Sequence, residues 1–159
     1  MLYIITAAIV LVADILTKIF AVKNLAPVYS IEVIKNLLSF TYVENKGIAF
    51  GMFSGGRFVF IAVTLVILVL VLTIIFKTPK EKRSVFLKSG GALVVSGAIG
   101  NLVDRILYGY VVDFIEVKFI DFPVFNVADI AVCVGAGILL IHYLFIDGKN
   151  NVREENADE

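Results

Sequence analysis

Four long apolar runs, set apart by shorter mixed stretches, govern the pattern of this chain. They predict spanning helices at about residues 2–22, 57–76, 85–108 and 126–146, each near the roughly 20 residues needed to cross a hydrocarbon core of about 30 Å. The first run resembles a secretory signal only superficially. It has no charged leading segment, and Asp14 and Lys18 interrupt its apolar centre, so a retained helix is expected. Between the first two runs, residues 23–56 form a polar-mixed excursion. Within it, YSIEVI and LLSFTYVEN carry β-branched and aromatic residues in partial alternation, and NKGIAFG follows with its glycines. That pattern predicts a small antiparallel sheet, which must rest at the membrane surface or against protein because a free sheet edge cannot sit in lipid. Residues 147–159 read as an acidic, solvated tail.

Composition strengthens this picture. The 159 residues are 60% hydrophobic and 18% charged, with mean hydropathy +0.97, whereas soluble domains run near 45–50% apolar and about 25% charged. A single membrane domain is the expected organisation. Net charge is zero and no basic stripe is present, which argues against a nucleic-acid partner. Cys133 and His142 are each the only residue of their type, so neither a disulfide nor a histidine–cysteine metal site is expected, and no cofactor is implied.

Charge does set an orientation. The segment KTPKEKRSVFLK holds Lys77, Lys80, Lys82, Arg83 and Lys88, while the excursion from Lys23 to Arg57 is more sparsely basic. By the positive-inside rule the denser loop is cytoplasmic, as are both termini, and the excursion is extracytoplasmic. Asp113 and Asp129 then flank the short outer connection between the third and fourth spans.

Ionisable side chains within spans are costly unless paired or facing water or protein, so each is a functional candidate. Asp14 and Lys18, four apart on one helical face, suit an ion pair that supports the fold. GNLVDR puts Asn101, Asp104 and Arg105 in the last turns of the third span. Asp104 fits capping and ion pairing, whereas Asn101 and Arg105 divide evenly between scaffold and contact with a peptide carbonyl. Asn126 reads as an N-cap with Asp129 at the third helical position. Asp113, in VVDFI, has no adjacent base and is harder to explain as scaffold. Two carboxylates brought together at a partly dry surface share a proton. One can then take a proton from water while the acid form protonates the departing group. Asp129, at a helix start, is the better candidate for the ionised partner. From the residues alone, an aspartyl protease and a proton- or ion-coupled transporter stand level, with a purely structural membrane module behind them. A serine protease fits poorly, because Ser96 lacks a G-x-S-x-G setting and a nearby histidine.

Five motifs in order separate these readings: D-x-x-T-K (Asp14, Thr17, Lys18), N-x-G-x-A-F (Asn45, Gly47, Ala49, Phe50), G-N-x-x-D-R (Gly100, Asn101, Asp104, Arg105), V-x-D-F (Val111, Asp113, Phe114) and F-N-x-A-D (Phe125, Asn126, Ala128, Asp129). Together, over about residues 10–140, they resemble the bacterial lipoprotein signal peptidase family, the type II signal peptidases. The resemblance implies a four-helix intramembrane aspartyl endopeptidase of the bacterial cytoplasmic membrane. It would remove signal peptides from prolipoproteins whose cysteine carries a diacylglyceryl group, at the outer face of the membrane. It further implies Asp113 and Asp129 as the catalytic dyad. Asn45, Asn101, Arg105 and Asn126 would be polar lining, and Asp14, Lys18, Asp104 and Gly47 structural support. Membrane lipid and a cyclic peptide inhibitor of the globomycin type are the further partners it implies. The excursion, rich in Phe and Tyr and closed by Gly47 and Gly51, is a candidate cradle for the substrate.

Overall fold

The computed structural model describes residues 2–47, 56–79 and 84–147. Ala49, Phe50 and Gly51, the loop positions Lys80, Lys82 and Arg83, and the tail from residue 148 onward lie outside the described residues. Four helices are long and apolar enough to cross a membrane. They are α1 (Leu2–Asn24), α2 (Gly56–Lys77), α3 (Ser84–Leu107) and α4 (Val127–His142), the last continued by a wider π turn, Tyr143–Asp147.

α2 is apolar on every face and buries only Gly56 and Val71, as expected of a helix whose surroundings are lipid. α3 is the opposite case. It is the central helix, packed against each of the other three, and its interior positions are small: Gly90, Gly91, Ala92, Gly97, Ala98 and Gly100 are all buried. Without water to drive apolar association, helices in a bilayer join by close backbone approach, which small residues permit. α4 answers with Ala128, Ala131 and Gly135 along its buried stripe. A Cβ on Gly135 would lie 2.6 Å from the Gly90 carbonyl oxygen, and one on Gly97 would strike the carbonyl of Ala128. The α3–α4 seam therefore admits no larger side chain at these points.

A polar hub locks α1 to this seam. Lys18 Nζ lies 2.9 Å from Asp14 Oδ2 and 2.9 Å from Asp104 Oδ2, and it donates to Asn101 Oδ1 at 2.9 Å. The other Asp14 oxygen accepts the backbone N–H of Ala128 at 2.9 Å, so a carboxylate on α1 satisfies one of the unpaired donors at the start of α4. Gly100 is required here, because any Cβ would collide with Asp14 Oδ2.

The sheet contains β1 (Ser30–Ile34), β2 (Leu38–Asn45) and β3 (Val111–Val117), antiparallel in that order. The excursion supplies two of these strands. The third comes from the connection between α3 and α4, outside the excursion for which the sequence pattern predicts a sheet. Its first four residues are all buried, so it shows no alternation from which a sheet partner could be read. Ala21 and Leu25 at the end of α1 pack with Val112 and Phe114 of β3. Phe40 of β2 meets Phe114 edge-on at 6.3 Å.

Candidate active site

Asp113 reaches its place through strand register. An irregularity between Phe40 and Val43 of β2 sets Val43 opposite Asp113 and Asn45 opposite Val111. Asn45 is then the diagonal neighbour of Asp113 on the same sheet face, and its Nδ2 donates to Asp113 Oδ2 at 2.8 Å. The amide is held that way round because its oxygen accepts the Gly47 N–H at 2.8 Å. Gly47 takes φ +76°, a conformation that favours glycine.

After β3 the chain folds back on itself. Phe125 and Ile115 exchange backbone hydrogen bonds of 2.8 and 3.0 Å, which sets the next residue, Asn126, beside Asp113. Asn126 caps α4 in a full capping box: its Oδ1 accepts the Asp129 N–H at 3.0 Å, and Asp129 Oδ2 accepts the Asn126 N–H at 3.1 Å. With its oxygen so engaged, the Asn126 amide nitrogen turns to Asp113 Oδ1 at 2.7 Å. One fully buried asparagine thus touches both carboxyl groups. A third asparagine completes the arrangement: Asn101 Nδ2 donates to Asp129 Oδ1 at 2.8 Å, and its oxygen accepts from Lys18 and, at 3.1 Å, from Asn126.

The two acids differ in setting. Asp113 is 1% exposed. That burial pushes its carboxyl up to about 6, and the neighbouring charge of Asp129 adds to the rise, while the amides of Asn45 and Asn126 and the more distant Lys18 oppose it. Asp129 is half-buried and sits in the first turn of α4, where the helix dipole accommodates negative charge best. Asp129 also lines a cavity of about 220 Å³ floored by α3 and walled by Thr64 and Ile67 of α2 and by Val132 and Cys133 of α4. The acids therefore form a pair with one dry member and one member facing an opening. A water in that cavity can reach Asp129.

The asparagines expected as polar lining also engage the carboxyl groups, and Asn101 borders the cavity as well. Asn45, Asn101 and Asn126 all direct their amide nitrogens at Asp113 or Asp129. Arg105 also lines the cavity. It donates to the Asn101 carbonyl at 3.3 Å, and its guanidinium lies 5.2 Å from the centre of the Phe60 ring on α2. Phe60 escapes a reading of the sequence because it is one apolar residue in a wholly apolar run. Asp104, besides meeting Lys18, accepts the Val112 N–H at 3.2 Å and so anchors the start of β3. Among the described residues no group of His, Cys, Asp and Glu has the makings of a metal site.

The family profile described as "Signal peptidase (SPase) II" matches residues 6–145. The lipoprotein signal peptidase of Clostridium novyi is 44% identical over 142 residues, covering 87% of this chain and 94% of that protein. That of Clostridium acetobutylicum is 43% identical over 152 residues, covering 93% and 97%. The fold is similar to a solved bacterial membrane enzyme with a TM-score of 0.83 at 33% identity, covering 91% of this chain and 93% of the other. A second such enzyme structure gives 0.78 at 34% identity, covering 93% and 90%.

Proposed function

This chain belongs to the signal peptidase II family of aspartic-type membrane peptidases, and from that premise we propose that Asp113 and Asp129 are its catalytic pair. The observation that carries the reading is the double engagement of Asn126, which holds one carboxyl through its amide and the other through its backbone cap. In the proposed reaction, Asp129 takes a proton from a water as the water oxygen attacks the scissile carbonyl carbon. Asp113, in its acid form, then gives its proton to the departing amine as the C–N bond breaks. Arg105, on the cavity wall, is the donor left to meet a substrate carbonyl.

The substrate of this reading is a prolipoprotein signal peptide whose cysteine carries a diacylglyceryl group. Lipid-accessible walls let such a helix present its cleavage point without leaving the bilayer. Both termini are assigned to the cytoplasm, and the sheet to the outer face of the cytoplasmic membrane, on the basic residues of the loop at 77–88. A cyclic peptide of the globomycin type would compete for the same cleft. Purified protein is expected to cut a diacylated prolipoprotein and to leave the unmodified precursor largely intact. Equal cleavage of both would remove the lipid requirement. Ion flux in proteoliposomes with no peptide product would replace the peptidase reading with a transporter.

The Asp113 value sets a pH dependence. The pair needs one proton, and that proton is lost as the pH rises through about 6, so kcat/KM should carry a falling alkaline limb there. Asn45→Ala removes a donor that favours the ionised carboxylate. The Asp113 proton is then held more tightly, and the limb should move to higher pH. A pH–rate profile of the variant superimposing on that of the wild type would show that Asn45 does not act on the titrating group.

A further inference from the structure

The end of the bundle opposite the aspartates holds a second polar feature that the reaction does not use. Lys88, in the second turn of α3, is 7% exposed. Among the described residues its ammonium group makes a single hydrogen bond, to the Pro79 carbonyl at 3.1 Å, and no carboxylate lies within ion-pair distance of it. A lysine carries three donors and a full charge, and burying such a charge without a counter-ion is costly. Contrast Lys18, also buried, with its two carboxylates and an amide oxygen.

Lys88 borders a cavity of about 630 Å³ between α1, α2 and α3. The wall is mainly apolar, formed by side chains such as Ile4, Leu72, Ile75 and Phe76. Its polar lining residues are Lys77 and Thr78 at the end of α2, Tyr3 at the start of α1 and Lys88 near the start of α3. This is an apolar slot with a cationic mouth, set where the helices end. A free anion would leave the apolar wall unfilled, and a basic peptide would be repelled. An amphiphile with a negative head and an acyl chain satisfies both parts. Basic pockets between spanning helices near the membrane surface attract such headgroups, at about fivefold in affinity per lysine.

We propose that this cavity binds one anionic phospholipid, with its phosphate on Lys88 and Lys77 and an acyl chain along the groove between α1 and α2. The inference is independent of the assignment of Asp113 and Asp129.

The chain contains no tryptophan, so Phe76→Trp, at the cavity wall, supplies a single fluorescent reporter. The full chain is placed in phosphatidylcholine nanodiscs doped with either acyl-brominated phosphatidylglycerol or acyl-brominated phosphatidylcholine. Quenching by the anionic lipid is expected to reach half-maximum at a mole fraction about fivefold lower than for the neutral one. Adding Lys88→Met should abolish that preference, with the thermal melt and peptide cleavage confirming an intact protein. Ala7→Phe, which fills the slot but keeps both lysines, should reduce quenching by either lipid and serves if Lys88→Met does not fold. Quenching indifferent to headgroup charge overturns the proposal. So does a preference that survives Lys88→Met, which would assign the attraction to exposed lysines, or undiminished quenching in Ala7→Phe.

Discussion

Asp113→Asn and Asp129→Asn are each expected to lower the rate of prolipoprotein cleavage by on the order of a thousandfold or more, because each removes one half of the proton exchange. Asparagine keeps the size and one oxygen of the native side chain. At position 129 it can still accept from Asn101 or from the Asn126 N–H, though not from both. At position 113 it can still accept from Asn45 or from Asn126. The cost is about 1–3 kcal/mol for the donor left without an acceptor, and both variants should remain folded in detergent. Cleavage assays must therefore be paired with thermal melts. Full activity in either variant would remove that residue from the chemistry. Loss of activity together with loss of the folded state would point to a structural role instead.

Lys18→Met is expected to do the largest damage to stability. It strands the buried carboxylates of Asp14 and Asp104 without their cation, and breaking a buried pair in this way costs about 3–5 kcal/mol. It also takes from Asn101 one of the two donors that fix its amide, loosening the hold on Asp129. The variant should melt well below the wild type, and Asp104→Asn added to it should recover part of the loss by removing one stranded charge. A melt unchanged by Lys18→Met would mean that the hub contributes no net stability.

Much of this arrangement is legible in the chain, and the part that is not has a physical reason. The apolar runs give the helices, because a span must be apolar along its length whatever its neighbours are. Asn126 and Asp129 announce a helix start, since a capping box is built from residues three apart. Asp14 and Lys18 announce a pair for the same reason. The third strand cannot be read in this way. Asp113 meets Val43 across seventy residues of sequence (113 − 43), and no local period records such a partner. The asparagines illustrate a second limit. The motif resemblance marks them as polar lining, but which atom points where depends on what the oxygen of each amide accepts: Gly47 for Asn45, Asp129 for Asn126, Lys18 and Asn126 for Asn101. Those donors come from α1, from the start of α4 and from a loop.

α2 stands apart in how it is attached. Its first turns are fastened beside the site, with Arg57 donating to the Ile106 carbonyl at 2.7 Å and Phe60 under the Arg105 guanidinium. Farther along, its contact with α3 is the apolar fit of Val71 and Ile75 around Gly91. It is thus a lever with its fulcrum at the aspartates' rim and its long arm in the hydrocarbon. A mismatch between helix length and bilayer thickness, which biases tilt where packing is weak, would act on that arm, and the first groups to feel the turn are the aromatic ring and the guanidinium at the doorway to Asp129.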